Sequence, residues 1–272
     1  MNILLTGSSG FIGTHLAKLL KSHKVVPYDL KIGLDVRNEK QLIEKIKGCE
    51  VVVHLAAFTS VPKSWDNPTE YYDNNVLGTS KVVEASIKAG VKRLIFASSS
   101  AIYGAKENPY AASKAMGEGV LQVRKEMQTI SLRFFNVYGK GQNPDNNMVI
   151  PTFIKGIKEG KISIYGDGEQ TRDFIHVSDV CEVLKMAVEA DVAPNFPRFV
   201  ALDLGTSKSY SVNELAYLMM GLMEKQAEIQ YLPGRKEIKH SLADPKILRE
   251  VFKYQPKVTL VNGLKQFLKE GL

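Results

Sequence analysis

The 272-residue sequence predicts an α/β chain built on a doubly wound parallel sheet, with a small C-terminal α/β lobe. Three observations lead there. Short aliphatic segments alternate with amphipathic helical ones through the first half of the chain, the order that gives parallel strands with helices on both faces. A glycine-rich turn, Gly7-Ser8-Ser9-Gly10-Phe11-Ile12-Gly13, sits between the first strand and the first helix. After Asn136 the alternation gives way to a polar loop, Gly139-Lys140-Gly141-Gln142-Asn143-Pro144-Asp145.

Taken in order, strands are expected at 2–6, 24–28, 50–54, 92–97 and 129–134, each short and aliphatic. Helices are expected near 11–21, 38–47, 69–89 and 110–127, where apolar residues recur at helical spacing opposite polar ones. Beyond residue 145 come an apolar helix, a Gly/Asp turn at 166–168, a strand near 200–204 and helices near 211–224 and 259–271. No internal repeat, low-complexity stretch or independent linker divides the chain.

The glycine turn is the first piece of chemistry. Gly7 permits the tight turn, Gly10 lets backbone N–H groups approach a pyrophosphate at the helix N-terminus, and Gly13 lets helix and strand pack closely. The second strand ends at Asp29, where a carboxylate can accept hydrogen bonds from adenosine-ribose hydroxyls. The same charge repels a 2′-phosphate, which favours NAD over NADP, although Lys31 stands close by. A turn or helix cap is the plainer use of Asp29.

Composition narrows the class. Hydrophobic residues make up 44% of the chain and charged ones 24%, ample for a large core. Cys49 and Cys181 lie in apolar contexts and read as reduced core thiols, with no disulfide framework. The first residues enter a strand without a secretory pattern, and no apolar run is long enough to cross a bilayer; a cytoplasmic enzyme is expected. The formal charge is +7, but the basic residues are scattered. That suits a diphosphate substrate better than nucleic acid. His15, His23, His54, His176 and His240 show no metal-ligand spacing, so no metal is expected, and no Gly-x-Ser-x-Gly elbow occurs.

Tyr110-Ala-Ala-Ser-Lys114 puts a phenol and an ammonium one helical turn apart on a shared face. A nearby cation is expected to favour the phenolate and so make Tyr110 a base near neutral pH. A solvated helix face would give the same spacing. The serine run Ser98-Ser99-Ser100 and the glycine turn, both earlier in the chain, favour the catalytic reading.

Seven motifs together resemble the extended short-chain dehydrogenase/reductases. They are Thr6–Gly13, His54-Leu-Ala-Ala57, Asn74-Asn-Val-Leu-Gly-Thr79, Ser98–Gly104, Tyr110–Lys114, Leu132–Gly139 and Thr171-Arg-Asp-Phe-Ile-His-Val177. They occur in the family's order between residue 2 and about residue 250. Within that family the chain is most similar to the NAD-dependent nucleotide-sugar epimerases and dehydratases, the UDP-glucose 4-epimerases in particular.

The resemblance implies a Rossmann-type NAD-binding domain at 1–135, with parts of 173–205 packing onto it. A nucleotide-sugar-binding lobe would comprise 136–172 and 206–272. Gly7, Gly10, Phe11, Ile12 and Gly13 would line the NAD pyrophosphate, Asp29 the ribose, and Asp35 and Val36 the adenine. Leu55, Ala56 and Ala57 would form the floor. Asn74 would stand near the nicotinamide and tie neighbouring strands, unless it is simply a structural asparagine. Phe135 would also touch the cofactor.

Ser99, Tyr110 and Lys114 would be catalytic. Tyr110 takes the sugar C4 hydroxyl proton, Lys114 holds the nicotinamide ribose, and Ser99 steadies the oxygen. Asn136, Asn147, Arg172 and Arg235 would hold the nucleotide diphosphate. A surface ion pair with Asp173 or Glu169 is the plainer reading of Arg172. Ser241 would flank the sugar, its small side chain admitting N-acetyl groups; it is otherwise an ordinary loop serine. The helices near 69–89 and 110–127 would form a four-helix bundle in a homodimer.

Departures from the family pattern matter. Only five residues separate Gly104 from Tyr110, about a dozen fewer than usual, and the Asp29–Asp35 connection is short as well. A more open pocket, relaxed specificity or a different sugar reaction would follow. The dehydratases carry Thr-Asp-Glu where this chain reads Ser99-Ser100-Ala101, so 4,6-dehydration is not expected. A 4-keto reductase or 3,5-type epimerase and a non-catalytic dinucleotide-binding protein remain the alternatives to C4 epimerisation of a UDP-sugar.

Overall fold

The computed structural model describes residues 1–104, 106–142, 148–190, 197–235 and 238–271. Strands β1 (Asn2–Thr6), β2 (Lys24–Tyr28), β3 (Val51–His54), β4 (Arg93–Ser99) and β5 (Gln128–Phe134) form the central sheet with a strand contributed from much later in the chain. Every pairing in it is parallel, and the order is 2-1-3-4-5 with the late strand outermost.

Alternation along each strand divides the core between the two faces. Ile3, Leu5, Val51, Val53, Ile95 and Ala97 face one layer, while Leu4, Val52, Leu94 and Phe96 face the other. The first layer is α1 (Phe11–Leu19) together with a later helix. The second is α2 (Glu39–Ile46) and the run from residue 61 to residue 122.

That run is where the structure departs from the expected helix at 69–89. It starts earlier and is broken into α3 (Val61–Asp66), α4 (Pro68–Tyr72), a π-helical turn at Asp73–Leu77 and α5 (Gly78–Lys88). Pro68 cannot donate to the preceding turn, which separates α3 from α4. Asn74 and Asn75 are both buried within this π turn. Helix α6 (Pro109–Gln122) is capped by Asn108, whose side chain accepts the Ala111 N–H at 2.8 Å.

The remaining elements are β6 (Asn136–Tyr138), α7 (Val149–Glu159), β7 (Lys161–Tyr165), β8 (Thr171–His176) and α8 (Val177–Glu189). They continue through β9 (Phe199–Leu204), β10 (Ser209–Ser211), α9 (Val212–Met223), β11 (Glu228–Leu232), α10 (Lys246–Phe252) and α11 (Leu260–Glu270). Strand β9 is the sixth strand of the central sheet, and α8 packs beside α1. Strands β10, β8 and β6 make a small sheet, and β11 pairs with β7. Helices α7, α9 and α11 share a separate core with these strands, around Phe153, Phe174, Leu215 and Phe267. A cleft opens between this lobe and the C-terminal ends of the central strands.

Candidate active site

The cleft has a volume of about 1570 Å3. At its floor, β1 runs into the glycine turn at the point where the strand order reverses, the usual ligand site of such sheets. Gly7 adopts a left-handed φ of 72°. A Cβ on it would stand 2.8 Å from the Ala56 nitrogen, so the turn presses directly on the end of β3. A Cβ on Gly13 would overlap the Gly7 carbonyl oxygen. Helix α1 begins at Phe11 with no side-chain cap and no acidic residue in its first turn. Its free N–H groups therefore face the cleft as an anion site.

Asp29 caps the turn, the plainer of its two readings, and also holds the glycine turn. One oxygen caps the short turn after β2 by accepting the Lys31 N–H at 2.9 Å, and the other accepts the Ser9 N–H at 2.9 Å. The carboxylate is thereby fixed at the rim beside the glycine turn. Asp35 is bound by Arg37, with Nη2 2.7 Å from Oδ2, and the Arg37 hydrogen bonds hold its carboxyl below the ordinary range. Val36 lies against Gly78 at the start of α5. Leu55, Ala56 and Ala57 line the cleft as it leaves β3.

The expected role of Asn74 as a tie between strands falls instead to Asn75. Asn75 accepts the Phe58 N–H at 2.8 Å and donates to the Phe58 carbonyl at 2.9 Å and to Ser113 at 3.0 Å. Asn74 donates to Asn75 at 2.9 Å and lines the cleft. His54 and His176 are hydrogen-bonded within the core. His54 lies between Thr6 at 2.7 Å and Thr79 at 3.0 Å, and His176 meets Ser178 at 2.7 Å.

Ser99 ends β4, and Tyr110 and Lys114 project from the first turns of α6 into the same wall of the cleft. The Ser99 hydroxyl faces the Tyr110 phenol. The electrostatics differ from the sequence expectation. Lys114 donates to the Ala97 carbonyl at 2.7 Å and stands over the Phe96 ring, 5.1 Å from its centre. Burial pulls its ammonium down to about 7. Burial also pushes the Tyr110 phenol up, with Ser99 working against that rise. The free site thus holds a protonated phenol, because desolvation of the anion outweighs the Ser99 hydrogen bond.

The second lobe supplies the opposite wall. Asn136 donates to the Asp173 carbonyl at 3.1 Å. Arg172 Nη1 donates to the Thr171 carbonyl at 2.8 Å. The two carboxylates proposed as its partners are engaged by other groups. Asp173 accepts from Thr206 and Ser207, and Glu169 accepts from Asn213 at 2.7 Å. Arg235 stacks on Tyr165, its Cζ 3.3 Å from the ring centre. Ser241 is held by its N–H to the Thr171 carbonyl at 3.1 Å. Phe135, Asn136, Arg172, Arg235 and Ser241 all line the cleft. Asn147 lies outside the described residues.

These two walls and the glycine floor make one continuous surface able to hold a dinucleotide and a second diphosphate. Residues 3–200 match the NAD dependent epimerase/dehydratase family. The chain belongs to that family.

Among its curated relatives, a putative UDP-glucose 4-epimerase of Methanocaldococcus jannaschii is 34% identical over 97% of this chain and 96% of its own length. Two solved structures are similar over 99% of this chain and most of theirs. A UDP-glucuronic acid 4-epimerase from Bacillus cereus, bound to UDP-glucuronic acid and NAD, has 28% identity and a TM-score of 0.90, with 98% of it covered. A UDP-N-acetylglucosamine 4-epimerase from Methanobrevibacter ruminantium, bound to UDP-N-acetylmuramic acid, has 31% identity and a TM-score of 0.89, with 97% covered. The alignment with the archaeal relative runs over 302 positions against 272 residues here, as expected for a family member with shortened loops.

Sequence reasoning overlooked three residues of this epimerase/dehydratase cleft and one behind its wall. Tyr165 lies under Arg235, and only its place before the turn at 166–168 hinted at it. Trp65 lines the cleft from α3, a helix not expected. Ile238 lines the cleft too, and a Cβ on Gly104 would stand 2.8 Å from its Cγ1. Ile238 therefore packs directly against Gly104. Glu118 lies buried one turn beyond Lys114. Among the described residues, no group of three His, Cys, Asp or Glu could hold a metal ion. No described helix is long and apolar enough to cross a membrane.

Proposed function

We propose that the protein inverts C4 of a UDP-sugar, with UDP-glucose and UDP-galactose as its first substrates and N-acetylated forms admitted beside Ser241. The observation that carries this reading is the meeting of Ser99, Tyr110 and Lys114 on one wall of a cleft that also holds the glycine turn and Arg172. The glycine turn, the open N-terminus of α1 and Asp29 fit NAD. When bound, NAD supplies a hydride acceptor and donor for sugar C4.

The division of work follows the lobes. Residues 1–135 with parts of 173–205 hold the dinucleotide, and residues 136–172 and 206–272 hold the nucleotide sugar. With the cofactor's positive charge beside it, Tyr110 would give up the proton it carries in the free site; as phenolate it accepts the C4 hydroxyl proton and returns it after the keto sugar has turned its other face, and Ser99 steadies the oxygen in both steps. Lys114 holds the nicotinamide ribose. Asn136, Asn147, Arg172 and Arg235 bind the diphosphate and nucleotide, where a planar guanidinium can pair two oxygens at once. Ser99-Ser100-Ala101 offers no carboxylate for a 4,6-elimination.

The protein is further proposed to be a cytoplasmic homodimer. Its two described cysteines are buried free thiols, which fits a reducing compartment. Leu77, Met116 and Val123 expose apolar surface on the face formed by the π turn and α6, which supports pairing of two copies there.

The test is incubation of the purified protein with NAD and, separately, UDP-galactose, UDP-N-acetylgalactosamine and UDP-galacturonate. C4 epimers of the first two are expected by chromatography. Binding of NAD and UDP without any turnover would overturn the reading in favour of a silent dinucleotide-binding protein.

A further inference from the structure

Behind the catalytic wall lies an ion pair that the reaction as described does not use. Glu118 is on α6, one turn after Lys114, so the two side chains share a helix face. It is 93% shielded from solvent, with relative exposure of 7%. Arg133 on β5 grips it through Nε at 3.0 Å and Nη2 at 2.9 Å, and the Ser131 hydroxyl donates to it at 2.8 Å. On its far side Arg133 donates to the Tyr103 hydroxyl at 3.0 Å, and Tyr103 donates to Asp203 at 2.6 Å. The cation of the pair thus also reaches Tyr103 and, through it, a second carboxylate, and the anion is on the lysine's own helix.

We propose that Glu118, oriented by Arg133, is a positioning residue that keeps Lys114 a cation within the desolvated wall of the active site. This deepens the proposed epimerase reading, in which Lys114 must be charged to hold the nicotinamide ribose. Other groups around Lys114 cannot do this. His54 on β3 is neutral, since burial pulls it down to about 3 and the lysine adds to that. Tyr110 on α6 is held protonated by burial, and the contacts from β4 are the Ala97 carbonyl and the Phe96 ring. Burial works to raise the Glu118 carboxyl, but the Arg133 guanidinium and the Ser98 and Ser131 hydroxyls beside it outweigh burial and hold it ionised. Its charge opposes the burial that pulls Lys114 down.

The two members of the pair make predictions of one sign. Glu118→Gln removes the attractive charge and leaves Arg133 uncompensated, so Lys114 loses its proton at lower pH. Arg133→Met withdraws the guanidinium that orients the carboxylate and holds it ionised against burial, so Lys114 again loses its proton at lower pH. The measurement is a pH titration of the free protein labelled with 13C at lysine Cε, the Lys114 signal being assigned by its loss in Lys114→Met. The wild-type midpoint is expected near about 7. It should fall by about 1 unit in Glu118→Gln, the lower end of the effect of an opposite charge at close range, and fall also in Arg133→Met, while Arg133→Lys, which keeps a cation against the carboxylate, stays near wild type. The double variant should lie between Glu118→Gln and wild type.

Circular dichroism establishes that each variant is folded. Should Glu118→Gln fail to fold, the downward shift in Arg133→Met and its absence in Arg133→Lys carry the test. An unchanged or raised midpoint in a folded Glu118→Gln or Arg133→Met variant would overturn the proposal. The titration needs neither NAD nor substrate, so it stands apart from the fate of the epimerase reading, which wild-type turnover decides.

Discussion

Lys114 directs its hydrogen bond to the Ala97 carbonyl oxygen, 2.7 Å away on the neighbouring strand. That contact anchors the lysine to the sheet and leaves Tyr110 to be governed by burial and by Ser99. Proton transfer and lysine positioning are therefore separable. Tyr110→Phe should lower turnover roughly 100- to 10,000-fold while NAD still binds, because the anchor of Lys114 does not involve the phenol. Steady-state rates with a parallel NAD titration check this.

The glycine turn makes a steric prediction. Gly13→Ala places a methyl group against the Gly7 carbonyl and Ser8, all backbone that cannot rotate away. A loss of about 1 to 3 kcal/mol is expected from overpacking, together with weakened NAD binding as α1 shifts from the floor. Urea unfolding and fluorescence titration of NAD report the two effects separately.

His54 gives the protein a built-in acid sensitivity. Its folded value lies near about 3, against 6.5 for the ordinary side chain, because burial and then Lys114 disfavour the cation. The unfolded chain therefore binds a proton there that the native protein does not. The stability His54 contributes is present above 6.5 and is lost as pH falls toward 3. In His54→Gln, the urea midpoint should decline less steeply across that window than in wild type.

Ser241 sits at the cleft with its backbone fixed to Thr171. Ser241→Tyr should therefore add bulk without moving the loop. Turnover of UDP-N-acetylgalactosamine is expected to drop at least about tenfold relative to UDP-galactose, the scale of a pocket steric change. Equal losses on both sugars would remove Ser241 from the N-acetyl side of the pocket.

The sequence revealed most where local chemistry decides the outcome. Alternating aliphatic residues such as Ile3, Leu4 and Leu5 announce a strand buried on both faces. The glycines announce a turn that a Cβ would block, and Tyr110 and Lys114 announce a shared helix face. What stayed hidden depends on packing across the chain. The π turn at Asp73–Leu77, within which Asn75 rather than Asn74 is the tie to Phe58, has no local signature. The raised phenol of Tyr110 follows from walls built by distant segments. Ile238 over Gly104 and Arg235 over Tyr165 bring together residues far apart in the chain, which periodicity cannot pair.

The central claim is that the C4 hydrogen leaves the sugar and returns to the same carbon on the opposite face. The most direct measurement uses UDP-galactose carrying deuterium at C4, with NAD and the wild-type protein in ordinary water. Mass spectrometry of recovered UDP-glucose should find the deuterium retained at C4, with no net reduced cofactor. Loss of the label to solvent, or accumulation of reduced cofactor without a C4 epimer, would contradict the account.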